Sequence, residues 1–252
     1  MAQIRRNMAK KKLAQGGVVS VVSGESTPEI IDFLGQFGFD GAWLESEHGA
    51  VDFADIGDMT RACDLWGMTS VARVTTNAEW LIGRTLDRGA TGICVPHVNT
   101  KEDAIKVVNG AKFAPVGYRG GYTGRQGYGV DGFVNKINDE ILLVVLIEDI
   151  EAINNLEEIL TVDDIDVFFI APTDLAQSMG LPGQPDHPDV QSTIDKAVQK
   201  IVGAGRVAGA LANDKNIERH INNGVRFLLV NWGSWVSKGA QDYIAKVNSL
   251  AK

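Results

Sequence analysis

Eight short apolar runs recur along the chain, and between most of them lies a stretch with the spacing of an amphipathic helix. The runs are GVVSVVS from Gly17, GAWLES from Gly41, TSVARV from Thr69, TGICVPHV from Thr91, ILLVVLIE from Ile141, DVFFIAP from Asp166, VAGALA from Val207 and FLLVNW from Phe227. They are continuously hydrophobic and often β-branched instead of cleanly alternating, which is how strands buried on both faces read. The helical stretches between them cover residues 27–37, 53–66, 79–88, 101–112, 150–160, 188–203 and 215–223. Strands alternating with helices in this way predict an α/β fold, a (β/α)8 TIM barrel, as a single domain over residues 1–252. A doubly wound open sheet is the alternative, but no GxGxxG follows the first strand.

One connection is irregular. After residue 112 comes FAPVGYRGGYTGRQGYGV, rich in glycine and tyrosine, followed by a short helix near residues 132–138. A loop of this length is uncommon unless it is functional or mobile. Its Arg119 and Arg125 suit either an anionic substrate or stabilisation of the loop itself. The tail, residues 235–252, repeats Val236, Ala240, Tyr243, Ile244, Val247 and Leu250 at helical spacing, and is expected to serve oligomer contacts. The basic amino terminus lacks the apolar stretch of a signal peptide and reads as a short surface helix. No apolar run approaches the roughly 18 residues of a membrane span. Two cysteines make no disulfide framework, so a cytoplasmic location is expected. With 24 basic against 32 acidic residues the net charge is −8, which argues against nucleic acid as a partner and suits a small-molecule enzyme.

In a parallel barrel the active-site groups stand at the carboxyl ends of the strands. There the sequence offers Glu45, Glu47 and His48 after strand two, Arg73 after strand three, Pro96 and His97 after strand four, Glu148 after strand five, and Thr173 with Asp174 after strand six. A carboxylate that closes a buried strand is costly unless paired, hydrated or bound to a cation. Two of them, Glu148 and Asp174, suggest a divalent metal held by oxygen ligands, the alternative being helix capping. With a histidine and an arginine on the same rim, the inventory suits proton abstraction beside a carbonyl. His97, directly after a strand proline, reads as structural.

GFDGAWLESEHG, VARV, LDRGATGICVPHV, APVGYRG, the glutamate of LIED and IAPTDLAQSMG together resemble the HpcH/HpaI aldolase family, in register from about Gly17 to Trp232. The resemblance implies a class II pyruvate aldolase, a carbon–carbon lyase that cleaves a 4-hydroxy-2-oxo acid to pyruvate and an aldehyde. It further implies Glu148 and Asp174 as ligands of Mg2+, Mn2+ or Co2+, His48 as acid/base through water, and Arg73 as the group stabilising the enolate oxygen. Backbone amides around Thr173 and Asp174 would hold the substrate carboxylate. Asp87 matches an aspartate that family members place at a subunit interface, and the family's usual assembly is a homohexamer, a trimer of dimers exchanging carboxy-terminal helices.

Three positions depart from the family pattern. Glu45 stands where many members carry the aspartate that helps orient the histidine, Leu146 where many carry a glutamine, and VNWGSW replaces a glycine- and aspartate-containing turn. Trp232 is therefore expected to line the substrate mouth. The departures keep two rivals in play: a citrate-synthase-like or acyl-CoA/citrate lyase-like enzyme, and a non-catalytic barrel that binds a 2-oxo acid.

Overall fold

The computed structural model describes residues 2–251; Met1 and Lys252, the two ends of the expected 1–252 domain, lie outside them. Eight parallel strands, β1 (Val19–Ser23), β2 (Gly41–Glu45), β3 (Thr69–Arg73), β4 (Gly92–Val95), β5 (Leu142–Ile147), β6 (Val167–Ile170), β7 (Ala208–Ala212) and β8 (Phe227–Asn231), close into a barrel with β8 paired back to β1. Every apolar run of the sequence contains one of them, and the (β/α)8 barrel is the observed fold.

Two apolar layers hold it together. Val19, Val21, Trp43, Val71, Leu142, Val144, Leu146, Val167, Phe169, Phe227 and Leu229 fill the barrel interior. The residues between them along each strand, among them Val22, Leu44, Ala72, Ile93, Leu143 and Phe168, face the surrounding helices. The alternation hidden inside each apolar run thus decides which layer a side chain joins. Full burial of such a side chain stabilises by about 1.5–3 kcal/mol.

The helices are α1 (Met8–Ala14), α2 (Pro28–Gly35), α3 (Ile56–Leu65), α4 (Glu79–Asp87), α5 (Lys101–Ala111), α6 (Ile150–Asn154), α7 (Leu156–Ile159), α8 (Pro172–Ser178), α9 (Pro188–Gly203), α10 (Ile217–Asn222) and α11 (Gly233–Leu250). Local chemistry starts several of them. Thr100 and Asp103 form a reciprocal capping box at α5, and Pro28 stands in the first turn of α2 behind the Thr27 cap. The helix expected over residues 150–160 is broken into α6 and α7. Helix α8 has no counterpart in the periodicity, because only Leu175 and Ala176 of its seven residues are buried.

Helix α1 corrects the expectation of a surface helix: Ala9 and Leu13 are buried in the barrel-interior cluster, closing its amino-terminal end. The glycine-rich connection is pinned by its arginines. Arg119 bonds Asp87 at 2.7 Å, and Arg125 bonds Asp64 at 2.6 Å and Thr60 at 2.7 Å. The short helix expected near 132–138 is two 3-10 turns, Phe133–Asn135 and Ile137–Glu140. The tail is one helix, α11; among the described residues none of it is buried, and Val236, Tyr243, Ile244, Val247 and Leu250 are exposed. No helix among the described residues is long and apolar enough to cross a membrane.

Candidate active site

The strand period that fills the interior also builds the site. Trp43, Val71, Leu146 and Leu229 are the last apolar side chains pointing inward on β2, β3, β5 and β8. Two residues further along the same faces stand Glu45, Arg73, Glu148 and Asn231. The apolar filling therefore ends in a polar layer at the carboxyl rim. Strand pairing sets Glu45 directly beside Arg73.

Glu148 is fully buried. Its Oε1 accepts the backbone N–H of His97 at 2.8 Å, while Oε2 has no hydrogen-bond partner and lies 3.5 Å from Arg73 Nη2. Burial pushes its pKa up to about 7, against the pull of the His97 amide and Arg73; the charge of Asp174 adds to the rise. Asp174 stands in the first turn of α8, beyond the end of β6, with no side-chain cap. Its carboxylate and the neighbouring amides share the positive end of that helix. Thr173 is exposed beside it.

Arg73 is 8% exposed and answers three glutamates at once. Its Nη2 is 2.5 Å from Glu47 Oε2, in a contact outside hydrogen-bond alignment, and its Nη1 is 3.4 Å from Glu45 Oε2. Burial opposes its charge, but Glu45, Cys94, Glu148 and Glu47 outweigh that and raise its pKa. The ion pair with Glu47 is thus what the structure contains.

Glu45 holds its own loop. It accepts the backbone amides of Glu47 at 2.8 Å and His48 at 3.1 Å on Oε1, and the Trp43 indole at 3.0 Å on Oε2. It grips the main chain of His48, so the departure from the family's aspartate at this position goes with a carboxylate spent on the loop backbone. His48 is exposed on the wall of a cavity of about 370 Å3, with Ser26, Trp43, Glu45, Asn231 and Trp232 around it. The Trp232 indole packs over Gly24, where an added Cβ would stand 2.6 Å from its Nε1; that buried nitrogen has no hydrogen-bond partner. Gly24 also holds φ = 131°, so both space and backbone require glycine there.

The chain matches the family model for HpcH/HpaI aldolase/citrate lyase over residues 21–238. It belongs to the HpcH/HpaI aldolase/citrate lyase family. It is 36% identical to a hydroxypyruvate/pyruvate aldolase of Roseobacter denitrificans, across 89% of this chain and 90% of that protein. It is 35% identical to a 2-keto-3-deoxy-L-rhamnonate aldolase of Klebsiella pneumoniae, across 77% of this chain and 74% of that protein. The crystal structure of an HpcH/HpaI aldolase/citrate lyase family protein from Burkholderia cenocepacia superposes with a TM-score of 0.89 at 25% identity, covering 96% of this chain and 99% of that one.

Of the residues singled out in the sequence, Glu45, Arg73 and Glu148 meet on the rim, with Asp174 within electrostatic reach of Glu148. His48 and Trp232 line the adjoining cavity. Asp87 is elsewhere: it ends α4 at the amino-terminal side of this HpcH/HpaI barrel, held by Arg119. Two residues noted at strand ends take part in the site without having been given a role there. Glu47 pairs with Arg73, and His97, read as structural, sits in the carboxylate cluster with its Nδ1 2.9 Å from Asp149 Oδ2. Burial lowers the His97 pKa, but Asp149, Glu148 and Glu47 together raise it. The signal available for His97 was its place at a strand end, shared with the other site residues.

Proposed function

We propose that this protein is a divalent-metal-dependent aldolase that cleaves a 4-hydroxy-2-oxo acid to pyruvate and an aldehyde. The observation that carries the reading is Glu148, a buried carboxylate whose Oε2 has no hydrogen-bond partner inside a cluster with excess negative charge. Glu45, Glu47, Glu148, Asp149 and Asp174 face one guanidinium, that of Arg73, and the imidazole of His97. A cation offsets such an excess, and oxygen donors suit Mg2+, Mn2+ or Co2+. Among the described residues no three His, Cys, Asp or Glu side chains gather as a complete metal cage. Glu148 and Asp174 would hold the ion, leaving positions for water and a substrate carrying two oxygens of its own.

The bound ion would act as a Lewis acid on the keto group of a 2-oxo acid. This chain's residues would do the rest. The unpaired amides of Thr173 and Asp174, at the start of α8, suit the substrate carboxylate. His48, on the cavity wall, takes the proton of the 4-hydroxyl through water. The C3–C4 bond then breaks, its electrons remain on the three-carbon fragment as the enolate, and the aldehyde leaves. Arg73 stands beside Glu148 to share the enolate charge, a term typically worth a few kcal/mol per donor. Protonation at C3 completes pyruvate. Trp232 and Asn231 bound the cavity in which the departing aldehyde would lie.

Asp87, remote from its own rim, fits a role at the rim of a neighbouring subunit. The unburied apolar residues of α11 support a homo-oligomer, a hexamer in this reading. The deciding experiment is exchange of the pyruvate methyl protons in D2O, followed by NMR. Exchange is expected with Mg2+, Mn2+ or Co2+ and stops on addition of EDTA. No exchange with any of the three overturns the reading, and exchange that persists after exhaustive chelation overturns its metal.

A further inference from the structure

Between β4 and α5 the chain turns through Pro96, His97 and Val98, and His97 holds φ = 51°. That left-handed region is uncommon for a residue with a side chain and open to glycine. Such a conformation persists where the surroundings over-determine it.

Two contacts do so here. The backbone N–H of His97 donates to Glu148 Oε1 at 2.8 Å, and its ring Nδ1 lies 2.9 Å from Asp149 Oδ2. One residue therefore grips both successive carboxylates after β5, the first by its main chain and the second by its side chain. The same connection is tied further on, where Asn155 Nδ2 donates to the Asn99 carbonyl at 2.9 Å and the Thr100–Asp103 box fixes the start of α5. The consequence falls on Glu148. Its Oε1 is committed to the turn, and its Oε2 is the atom left without a hydrogen bond.

We propose that His97 is a positioning residue: its ring, anchored on Asp149, holds the left-handed turn whose peptide N–H fixes Glu148 Oε1 and so presents Oε2 to a divalent cation. The proposal rests on the reading of Glu148 as a ligand of that cation. Without the ring, a side-chain-bearing residue at position 97 relaxes toward an ordinary φ and withdraws the N–H. Glycine keeps the turn without an anchor, and asparagine both tolerates the conformation and retains a polar side chain.

The test is Mn2+ titration of the full chain, with free Mn2+ followed by electron paramagnetic resonance and folding followed by circular dichroism. His97→Ala is expected to weaken Mn2+ binding about 10–100-fold, the usual effect of losing a group that orients a metal ligand. His97→Gly and His97→Asn are expected to fall between that variant and the wild type. Wild-type affinity in His97→Ala overturns the positioning role, whatever happens to its melting temperature. Equal weakening in His97→Ala and His97→Gly overturns the part assigned to the turn. Should His97→Ala not fold, Asp149→Asn carries the test: several-fold weaker binding is expected, and unchanged affinity overturns the role. Failure of the wild type to bind Mn2+ overturns the metal reading itself, and the role of His97 with it.

Discussion

At the amino-terminal end of the barrel, Lys10 bridges Asp166 at 3.0 Å, Arg6 meets Glu140 at 2.7 Å, and buried Lys112 donates to the carbonyls of Asn138 and Ile141. Buried Asn7 spends its whole amide there: Nδ2 donates to the Thr91 and Glu140 carbonyls, and Oδ1 accepts from Thr69 and Lys10. At the carboxyl end, acid outnumbers base, and Glu148 Oε2, Glu47 Oε2 and Arg73 Nε lack hydrogen-bond partners. Both ends bury charge, but Lys10, Arg6, Lys112 and Asn7 all have hydrogen-bond partners, whereas these three rim atoms have none. A satisfied network stabilises a fold, whereas unsatisfied buried groups cost free energy and are kept where a ligand completes them. The contrast separates the end that holds the barrel shut from the end to which the proposed function assigns binding.

The contrast can be broken most sharply at Glu148. Glu148→Ala is expected to lower metal-dependent exchange of pyruvate methyl protons by about a thousandfold, the scale of losing several kcal/mol of charge stabilisation. Its folding stability should change little, because relief of a buried carboxylate with an unpaired oxygen is offset by the His97 N–H left without its acceptor. A large drop in melting temperature with exchange intact would reverse the assignment of the two ends.

Asn7→Ala should do the opposite. Its loss leaves several buried groups unpaired, and a destabilisation of about 3 kcal/mol is expected in chemical denaturation. Mn2+ affinity should stay at the wild-type value, and a parallel loss of affinity would show the two ends to be coupled.

Lys112 sharpens the comparison through pH. Burial, with help from Lys10, pushes its pKa down to about 8 from an ordinary value of 10.5. The unfolded chain therefore binds more protons than the folded one between pH 8 and 10.5, so this group adds stability as pH rises through that window. Relative to Lys112→Met, the wild type should gain about 2 kcal/mol between pH 8 and 10. Denaturation curves of both proteins at the two pH values check the sign; equal slopes would mean that Lys112 is solvated.

The smallest effect belongs to Arg6→Ala. Its side chain is 74% exposed although its partner Glu140 is nearly buried, so less than about 1 kcal/mol is expected. A loss as large as that of Asn7→Ala would mean that the closure depends on the ion pair rather than on the amide network.

Much of the site was legible because barrel chemistry sits at strand ends, and the apolar runs show where strands end. Glu45, Arg73 and Glu148 were found in that way. Asp174 was placed by the same logic but belongs to α8, a helix too short and too little buried to leave a periodic signature. Glu45 was noted as a departure from the aspartate that orients the histidine, but where its oxygens go was not legible: they are taken by main-chain amides and the Trp43 indole, a choice set by the path of the loop. His97 was discounted because a residue's backbone angle and its reach across to the neighbouring strand's end leave no mark on local spacing. The arginines of the glycine-rich loop were left open for a related reason: Arg119 and Arg125 find Asp87 and Asp64 more than thirty residues away.

By itself, then, the order of apolar runs and helical stretches determined the barrel, since strands buried on both faces and linked by helices have few other ways to close. The residue types at the strand ends determined that acid, one arginine and histidines would share a rim. Tertiary structure alone decided which atoms are satisfied. Glu148 Oε1 is spent on a turn from another strand while Oε2 is not, and that division follows from packing distances between segments far apart in the chain.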